Sequence, residues 1–146
     1  REAGGTPKPA RSLAALLEAV GRDEELLPVL DVLARRELDR KARFTFLRRL
    51  SRAAAAAGDE ERALDALARA AALEPQGPEV QREHGSALCV RGRFAEALPA
   101  LLRAYGGRSP TPNPADEIEL RSLIGRAALR VGRRDQARIH LEAALR

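Results

Sequence analysis

One sequence pattern occurs three times in the chain, in Gly58-Asp-Glu-Glu-Arg-Ala63-Leu-Asp-Ala-Leu67, Gly92-Arg-Phe-Ala-Glu-Ala97-Leu-Pro-Ala-Leu101 and Gly132-Arg-Arg-Asp-Gln-Ala137-Arg-Ile-His-Leu141. In each copy the glycine is followed by alanine five residues later and by leucine nine residues later. Gly58 and Gly92 are 34 residues apart, whereas Gly92 and Gly132 are 40 apart because six residues are inserted around 106–114. Self-similarity at this spacing predicts an array of repeats.

A fourth, more divergent copy begins at Gly21. The stretch Gly21-Arg-Asp-Glu-Glu-Leu-Leu-Pro-Val-Leu30 shares its Gly-Arg opening and its proline at the eighth position with the copy that begins at Gly92. Gly21 lies 37 residues before Gly58, so this copy is three residues longer than the next. Four repeats then divide the chain approximately into residues 7–43, 44–77, 78–117 with the loop insertion 106–114, and 118–146.

A second pattern precedes each glycine. A small residue lies seven positions ahead of it, and these residues are Ala14, Ser51, Gly85 and Gly125. Both patterns have helical spacing, so each repeat is predicted to be a pair of helices joined at the glycine, which can adopt a left-handed conformation. We expect the small residue to admit the partner helix, and the leucine at the ninth position to fill the space between pairs. One pair cannot bury its own apolar face, so the pairs should stack.

The composition also favours an all-α chain. It contains 29 alanines and 22 leucines, both strong helix formers, and only four aromatic residues. The single cysteine, Cys89, leaves no partner for a disulfide and no cysteine-rich metal site. No apolar run approaches the 18 or so residues that a membrane-spanning helix needs. We therefore expect a cytoplasmic protein that binds no cofactor or metal.

Caps and helix breakers predict eight helices, over residues 10–20, 24–39, 43–57, 59–74, 78–91, 93–105, 115–131 and 133–145. Asn113 is the expected N-cap of the seventh helix, and Pro114 its first residue. Pro28 and Pro99 lie about two turns into their predicted helices, which indicates late helix starts or kinks. Residues 1–9 are expected to form a flexible linker ahead of a domain over residues 10–146.

The repeats resemble the tetratricopeptide repeat (TPR), a 34-residue helix pair marked by Leu-Gly, then Ala-x3-Phe, then Pro. The matching residues are Leu50-Ser51, Ala63-x3-Leu67 and Pro75 in one copy, and Gly85 and Ala97-x3-Leu101 in the next. The aromatic that usually opens the first helix is replaced by Ala10, Leu47, Gln81 and Arg121. The resemblance, to a bacterial type of TPR domain, covers residues 7–146. It implies a right-handed superhelical solenoid of about four helix pairs that acts as a protein-binding scaffold or adaptor, and it says little about the ligand.

The resemblance further implies a concave groove lined by the first helix of each pair. The groove-facing positions hold Arg48 and Arg52 in the second repeat, Arg82 and Ser86 in the third, and Arg126 and Arg130 in the fourth. Arginine is suited to bidentate recognition of carboxylates, so we expect a basic groove that binds an acidic or amphipathic segment of a partner protein. An alternative of equal weight is that these are solvated arginines in an arginine-rich chain.

An enzyme is not expected, because His84 and His140 lie in separate repeats with no catalytic or metal-binding spacing. We predict His84 to be partly buried and hydrogen-bonded, and His140 to lie at the surface. Nucleic acid ranks below a protein partner despite the net charge of +5, since the groove lacks aromatic residues for base stacking.

Three alternatives stay open for the binding role. The chain could be a regulatory or sensor TPR region of a larger bacterial signalling or transcription protein. It could self-associate through its last helix, where Ile139, Leu141 and Leu145 would pack on a neighbouring copy. The loop 106–114, with its Pro-x-Pro-x-Pro run, could dock the partner instead of the groove.

Overall fold

A computed structural model describes residues 11–13, 15–16 and 23–146. Every regular element within these residues is helical: α1 (Asp23–Arg36), α2 (Arg40–Ala56), α3 (Glu60–Leu73), α4 (Pro78–Val90), α5 (Phe94–Gly106), α6 (Pro114–Arg130) and α7 (Arg134–Ala144). Residues 11–13 and 15–16 are helical as well. The all-α prediction is confirmed. The predicted linker over 1–9, the small residue Ala14 and the turn at Gly21 lie outside the described residues.

The helices form two compact units, Arg1–Glu74 and Pro75–Arg146. In the first unit α2 packs against both α1 and α3. In the second unit α4 pairs with α5 and α6 pairs with α7, while α6 also packs against α5 and touches α4. The pairs α2/α3, α4/α5 and α6/α7 are those that the repeats predicted. None of the described helices is both long enough and apolar enough to cross a membrane.

Each helix pair turns at a glycine in the left-handed region. The φ angles of Gly58, Gly92 and Gly132 are +82°, +74° and +83°. L-residues rarely adopt such angles, so a side chain at any of these positions would strain the backbone. The conformation predicted from the repeat pattern is confirmed at all three turns.

In the third and fourth repeats the leucine at the ninth position packs against the small residue of its own pair, a contact that the sequence did not predict. A Cβ added to Gly85 in α4 would lie 2.6 Å from Cγ of Leu101 in α5. The corresponding distance from Gly125 in α6 to Cγ of Leu141 in α7 is 2.5 Å. The absent side chain leaves a space on the first helix, and the leucine of the second helix fills it. Leu101 is completely buried there.

Two predictions about helix ends are wrong. The helix expected over 24–39 ends at Arg36, and the next begins at Arg40 instead of residue 43. The reason is Asp39, whose side chain caps α2 by accepting a hydrogen bond from the Ala42 amide (2.9 Å). The prediction for α6 is confirmed, since Asn113 accepts hydrogen bonds from the first-turn amides and Pro114 is the first helical residue.

The prolines do not delay their helices. The helices that contain Pro28 and Pro99 begin at Asp23 and Phe94, so the prediction of late starts is wrong. Helical hydrogen bonding in α5 already begins where the Ala97 amide donates to the Arg93 carbonyl (3.0 Å). A proline inside a helix removes one donor and crowds the carbonyl four residues earlier, and the buried side chains of its neighbours hold the helix against α4 despite this cost.

Candidate functional site

The two candidate residues of the first unit lie on one face of α2. Arg48 and Arg52 are one helical turn apart and therefore project from the same side. The opposite side, with Leu47 and Leu50, is buried. The Arg48 guanidinium lies 5.7 Å from the centre of the Phe44 ring, and Arg52 is exposed. The first unit thus presents two guanidinium groups on an outward face of α2.

The four candidate residues of the second unit are divided between α4 and α6. Arg82 Nη1 lies 3.8 Å from carboxylate oxygens of both Asp116 and Glu119. Two turns further along α4, Cys89 lies close enough to Arg126 for the guanidinium charge to act on the pKa of its thiol. Cys89 follows Arg82 by seven residues on α4, and Arg126 follows Glu119 by seven residues on α6. Because Arg82 faces Glu119 and Cys89 faces Arg126, α4 and α6 run side by side in the same direction.

The structure therefore brings Arg82, Ser86, Arg126 and Arg130 onto one surface of the second unit. Ser86 lies one turn beyond Arg82 on α4, and Arg130 lies one turn beyond Arg126 on α6. We call this surface the α4–α6 face and define it by Arg82, Ser86, Asp116, Glu119, Arg126 and Arg130.

Charge is distributed unevenly along the α4–α6 face. Arg82 is compensated by the two carboxylates of α6. Arg126 and Arg130 are both exposed near the C-terminal end of α6, and the Arg130 guanidinium lies 5.1 Å from the centre of the Phe94 ring. The basic character expected of a groove is thus concentrated at one end of the face.

The thiol beside this face is not set up for nucleophilic chemistry. Burial raises the pKa of Cys89, and the Arg126 guanidinium opposes that shift only in part. The neutral thiol therefore predominates at neutral pH. Among the described residues, no group of three or more His, Cys, Asp or Glu side chains is arranged to hold a metal ion.

A cavity of about 280 Å³ opens at the other end of the face, between α4, α6 and the loop that joins α5 to α6. Its apolar lining comes from Pro78, Ala104, Pro112 and Leu120, and its charged lining from Glu79, Arg82, Arg108, Asp116 and Glu117. Ser109 and Thr111 of the loop complete one wall. The inserted loop thus forms part of a concave surface.

The start of this loop is held by a charged cluster that sequence reasoning missed. Arg108 places its guanidinium 3.6 Å from the centre of the Tyr105 ring and pairs with Glu117 (3.0 Å). Arg121 lies 4.9 Å from the same ring centre and donates a 2.7 Å hydrogen bond to the Tyr105 hydroxyl. The one feature of the sequence that could have indicated this cluster is Arg121. It occupies a position that usually carries an aromatic residue, and here it packs against one.

The histidine predictions were partly wrong. His140 is only 7% exposed, and its ring meets Tyr105 edge-on with 5.0 Å between ring centres. It is buried because it shares the inner side of α7 with the buried Ala137. His84 is half-buried as expected. The Nδ1 atoms of both histidines find no hydrogen-bond partner among the described residues.

Both histidines favour the neutral form. Burial lowers the pKa of His84, and the charge of Arg103 lowers it further. Burial likewise lowers the pKa of His140, with further contributions from Arg121 and Arg108 and an opposing one from Glu117. Both imidazole rings are therefore mainly uncharged near neutral pH.

No protein-family model matches the chain. No curated protein matches it either. Similarity is found among solved structures. The structure of MamA (41-end) from Desulfovibrio magneticus RS-1 is 22% identical, with a TM-score of 0.64 over 94% of this chain and 73% of that one. The nearly identical TPR-like repeats of a putative kinesin light chain from Podospora anserina are 20% identical to this chain, with a TM-score of 0.65 over 95% of this chain and 75% of that one.

A third similar structure is that of PilF from Pseudomonas aeruginosa, at 17% identity and a TM-score of 0.62, over 90% of this chain and 56% of that one. The chain has the TPR fold. At these identities the likeness to solved structures establishes the fold and transfers no partner from those proteins. The function of a chain with this fold depends on the residues at its surfaces.

Proposed function

We propose that the chain is a protein-interaction scaffold whose first-helix faces bind an acidic or amphipathic segment of a partner protein. The observation that carries this proposal is the pair Arg126 and Arg130, exposed one turn apart at the end of the α4–α6 face where the described carboxylates of that face do not reach. Arg48 and Arg52 offer the same chemistry on α2 in the first unit. Arg82 and Ser86 contribute to the same face, with the charge of Arg82 already compensated.

The neighbourhood of these arginines supports an amphipathic partner. Leu129 lies between Arg126 and Arg130 on α6 and is 55% exposed, and Val90 at the end of α4 is also exposed. Apolar side chains beside guanidinium groups suit a segment that combines carboxylates with apolar residues. Repeat solenoids offer extended surfaces of this kind to their partners. We propose a binding role rather than catalysis because burial keeps Cys89 a neutral thiol, and because the half-buried His84 and the buried His140 have different charged neighbours.

The proposal is tested by charge reversal with a matched control. Arg126→Glu/Arg130→Glu removes the basic end of the face, whereas Arg138→Glu/Arg146→Glu makes the same charge change on exposed arginines of α7 and the C-terminus. Immobilised wild type, variant and control are exposed to lysate of the source cells and eluted by a salt step, with quantification by mass spectrometry. We expect acidic partners to be captured by wild type and control, lost from the variant and released by salt. Equal capture by all three proteins would contradict the proposal.

Self-association through α7 is a second candidate function. Ile139 and Leu145 are 60% and 88% exposed, which favours burial against another surface. Leu141, expected to join them, is instead turned inward against Gly125. Light scattering after size exclusion tests this candidate: a dimer mass in wild type and a monomer mass in Ile139→Asp/Leu145→Asp would support it. A monomer mass at all concentrations would exclude self-association through α7.

A further inference from the structure

We infer that the α4–α6 face selects a dipolar partner segment, which places a basic side chain at its cavity end and an acidic side chain at its Arg126–Arg130 end. The inference rests on the proposed function, because it specifies the ligand of the same face. It goes beyond that function by assigning a role to the cavity and by fixing the order of charges along the ligand.

The cavity end offers more negative than positive charge. Three carboxylates line the cavity, from Glu79, Asp116 and Glu117, against two guanidinium groups. Beside the lining, Arg121 lies 3.8 Å from Glu117 and Glu119 lies 3.8 Å from Arg82, so these two further charges cancel and the excess is one negative charge. Arg108 is engaged by Glu117 (3.0 Å) and stacked on Tyr105, so it is held in place and neutralised. Arg82 is shared between two carboxylates of α6. An acidic side chain that entered here would meet this excess of negative charge, whereas a lysine or arginine side chain would reduce it.

The shape and lining of the cavity fit such a side chain. Pro78, Ala104 and Leu120 provide apolar surface that can cover the methylene stem of a lysine or arginine. The carboxylates of Glu79 and Asp116 are exposed and can reach the charged head. A volume of about 280 Å³ has room for one long side chain and not for a folded element.

The opposite end has the reverse preference. Arg126 and Arg130 are one turn apart on α6, both exposed, and flank the apolar side chain of Leu129. Two guanidinium groups at this spacing can each donate to a carboxylate of a glutamate or aspartate. A basic residue placed here would be repelled by both.

The length of α6 sets the distance between the two charges of the ligand. From Asp116, residues 126 and 130 are 10 and 14 positions away, which at 1.5 Å per residue is about 15 to 21 Å. An extended chain covers that distance in about four to six residues. The preferred ligand is therefore an extended segment with a basic and an acidic residue about four to six positions apart and apolar residues between them.

Selection from a random 12-residue peptide library displayed on phage tests this inference. The full chain is used as bait in four forms: wild type, Arg126→Glu/Arg130→Glu, Glu79→Gln/Asp116→Asn, and the control Arg138→Glu/Arg146→Glu. Circular dichroism confirms that each variant is folded, and Glu79→Gln alone serves if the Asp116 change destabilises the N-terminus of α6.

We expect wild type and control to enrich peptides with a base and an acid about four to six residues apart. Neutralising the cavity carboxylates should remove the preference for the base and keep that for the acid, while reversing the arginines should remove the preference for the acid. For a synthetic enriched peptide, replacing its basic residue by norleucine should weaken binding by about threefold to fivefold. Enriched peptides that are acidic without a spaced base would overturn the inference and leave the proposed function standing. Enrichment of no peptide by wild type would overturn both.

Discussion

In α2 of the first unit the small residue seven positions before the turn is Ser51, and in α4 of the second unit it is Gly85. The Ser51 hydroxyl donates a 2.8 Å hydrogen bond to the Ala63 carbonyl in the partner helix α3. At Gly85 the side chain is absent, and Leu101 of the partner helix fills the space. The same position in the repeat thus joins its pair by a polar bond in one unit and by apolar packing in the other.

The difference shows that a small residue in this position can be required for two reasons. In the first unit the space accommodates a hydroxyl that reaches across to a backbone carbonyl. In the second unit the space is already occupied, so even one added carbon would collide with a buried leucine. Ser51, Gly85 and Gly125 occupy equivalent positions in the repeats. Substitutions at the three positions should nevertheless lower the free energy of unfolding by different amounts.

The largest effect is expected from Gly85→Val. Its Cβ would lie 2.6 Å from Leu101 Cγ and 3.3 Å from the Leu101 amide nitrogen, and Leu101 is completely buried and has nowhere to move. Overpacking of this kind should lower the free energy of unfolding by about 2 kcal/mol or more, measured by urea unfolding followed by circular dichroism.

The matched change, Gly125→Val, sharpens the comparison within the second unit. Its Cβ would also meet a leucine, at 2.5 Å, but Leu141 is partly exposed and can turn towards solvent. We expect Gly125→Val to cost less than Gly85→Val. Equal losses would show that burial of the opposing leucine does not decide the cost.

A smaller effect is expected from protonation of the histidines, both of which lie in the second unit. Burial lowers the pKa of His84 and of His140, so the unfolded chain binds protons more readily than the folded one. Their contribution to stability is complete above the unfolded value of about 6.5 and is lost as the pH falls below it towards the folded pKa values. The loss can reach at most about 1.4 kcal/mol per pH unit for each histidine.

Titration of the two histidine rings by NMR measures this directly, with midpoints expected below 6.5 for both. His140→Gln should flatten the fall in unfolding free energy between pH 7 and pH 5, because the side chain beside Arg121 and Arg108 is then a neutral amide that does not titrate. Midpoints at or above 6.5 would mean that the rings are solvated. The histidines would then not make the second unit less stable as the pH falls.

Ser51→Ala should have a moderate effect. It removes the 2.8 Å bond to the Ala63 carbonyl and adds no steric conflict. The cost should be about 1 kcal/mol in urea unfolding. Ser86→Ala, in the next repeat and on the α4–α6 face, is the control and should change stability by much less. A cost for Ser51→Ala as large as that for Gly85→Val would show that the two ways of joining a pair are equivalent in energy.

Most of the fold could be predicted because it depends on local patterns. Spacing in the sequence located the turn glycines and the helix pairs, since a left-handed residue and a 3.6-residue period leave direct marks in the chain. The errors arose where a side chain acted on another helix. Leu101 packs onto Gly85, 16 residues away, and no local pattern distinguishes that partner from one in the next pair.

The candidate site was less predictable for the same reason. The positions of Arg126 and Arg130 on one face follow from helical spacing alone. The pairing of Arg82 with Asp116 and Glu119, more than 30 residues away, depends on the side-by-side course of α4 and α6. Sequence reasoning therefore counted Arg82 as one more groove cation, when its surroundings make that end of the face the acidic one.

The smallest effect is expected from exposed ion pairs. At the start of α5 in the second unit, the N-cap residue Arg93 and Glu96 form a bidentate pair with distances of 2.8 to 3.1 Å. In α3 of the first unit Arg69 lies 3.8 Å from Asp65. All four side chains are exposed enough that solvent screens their attraction, so Glu96→Gln should cost about 0.5 kcal/mol or less and Asp65→Asn almost nothing. Unfolding at low and high salt separates the two, because only the Glu96→Gln difference should shrink as salt is added. If both substitutions cost the same at low salt, the closer geometry of the Arg93 pair contributes nothing, and the two units differ in how their helices pack and in the histidines that only the second contains, not in the strength of these surface ion pairs.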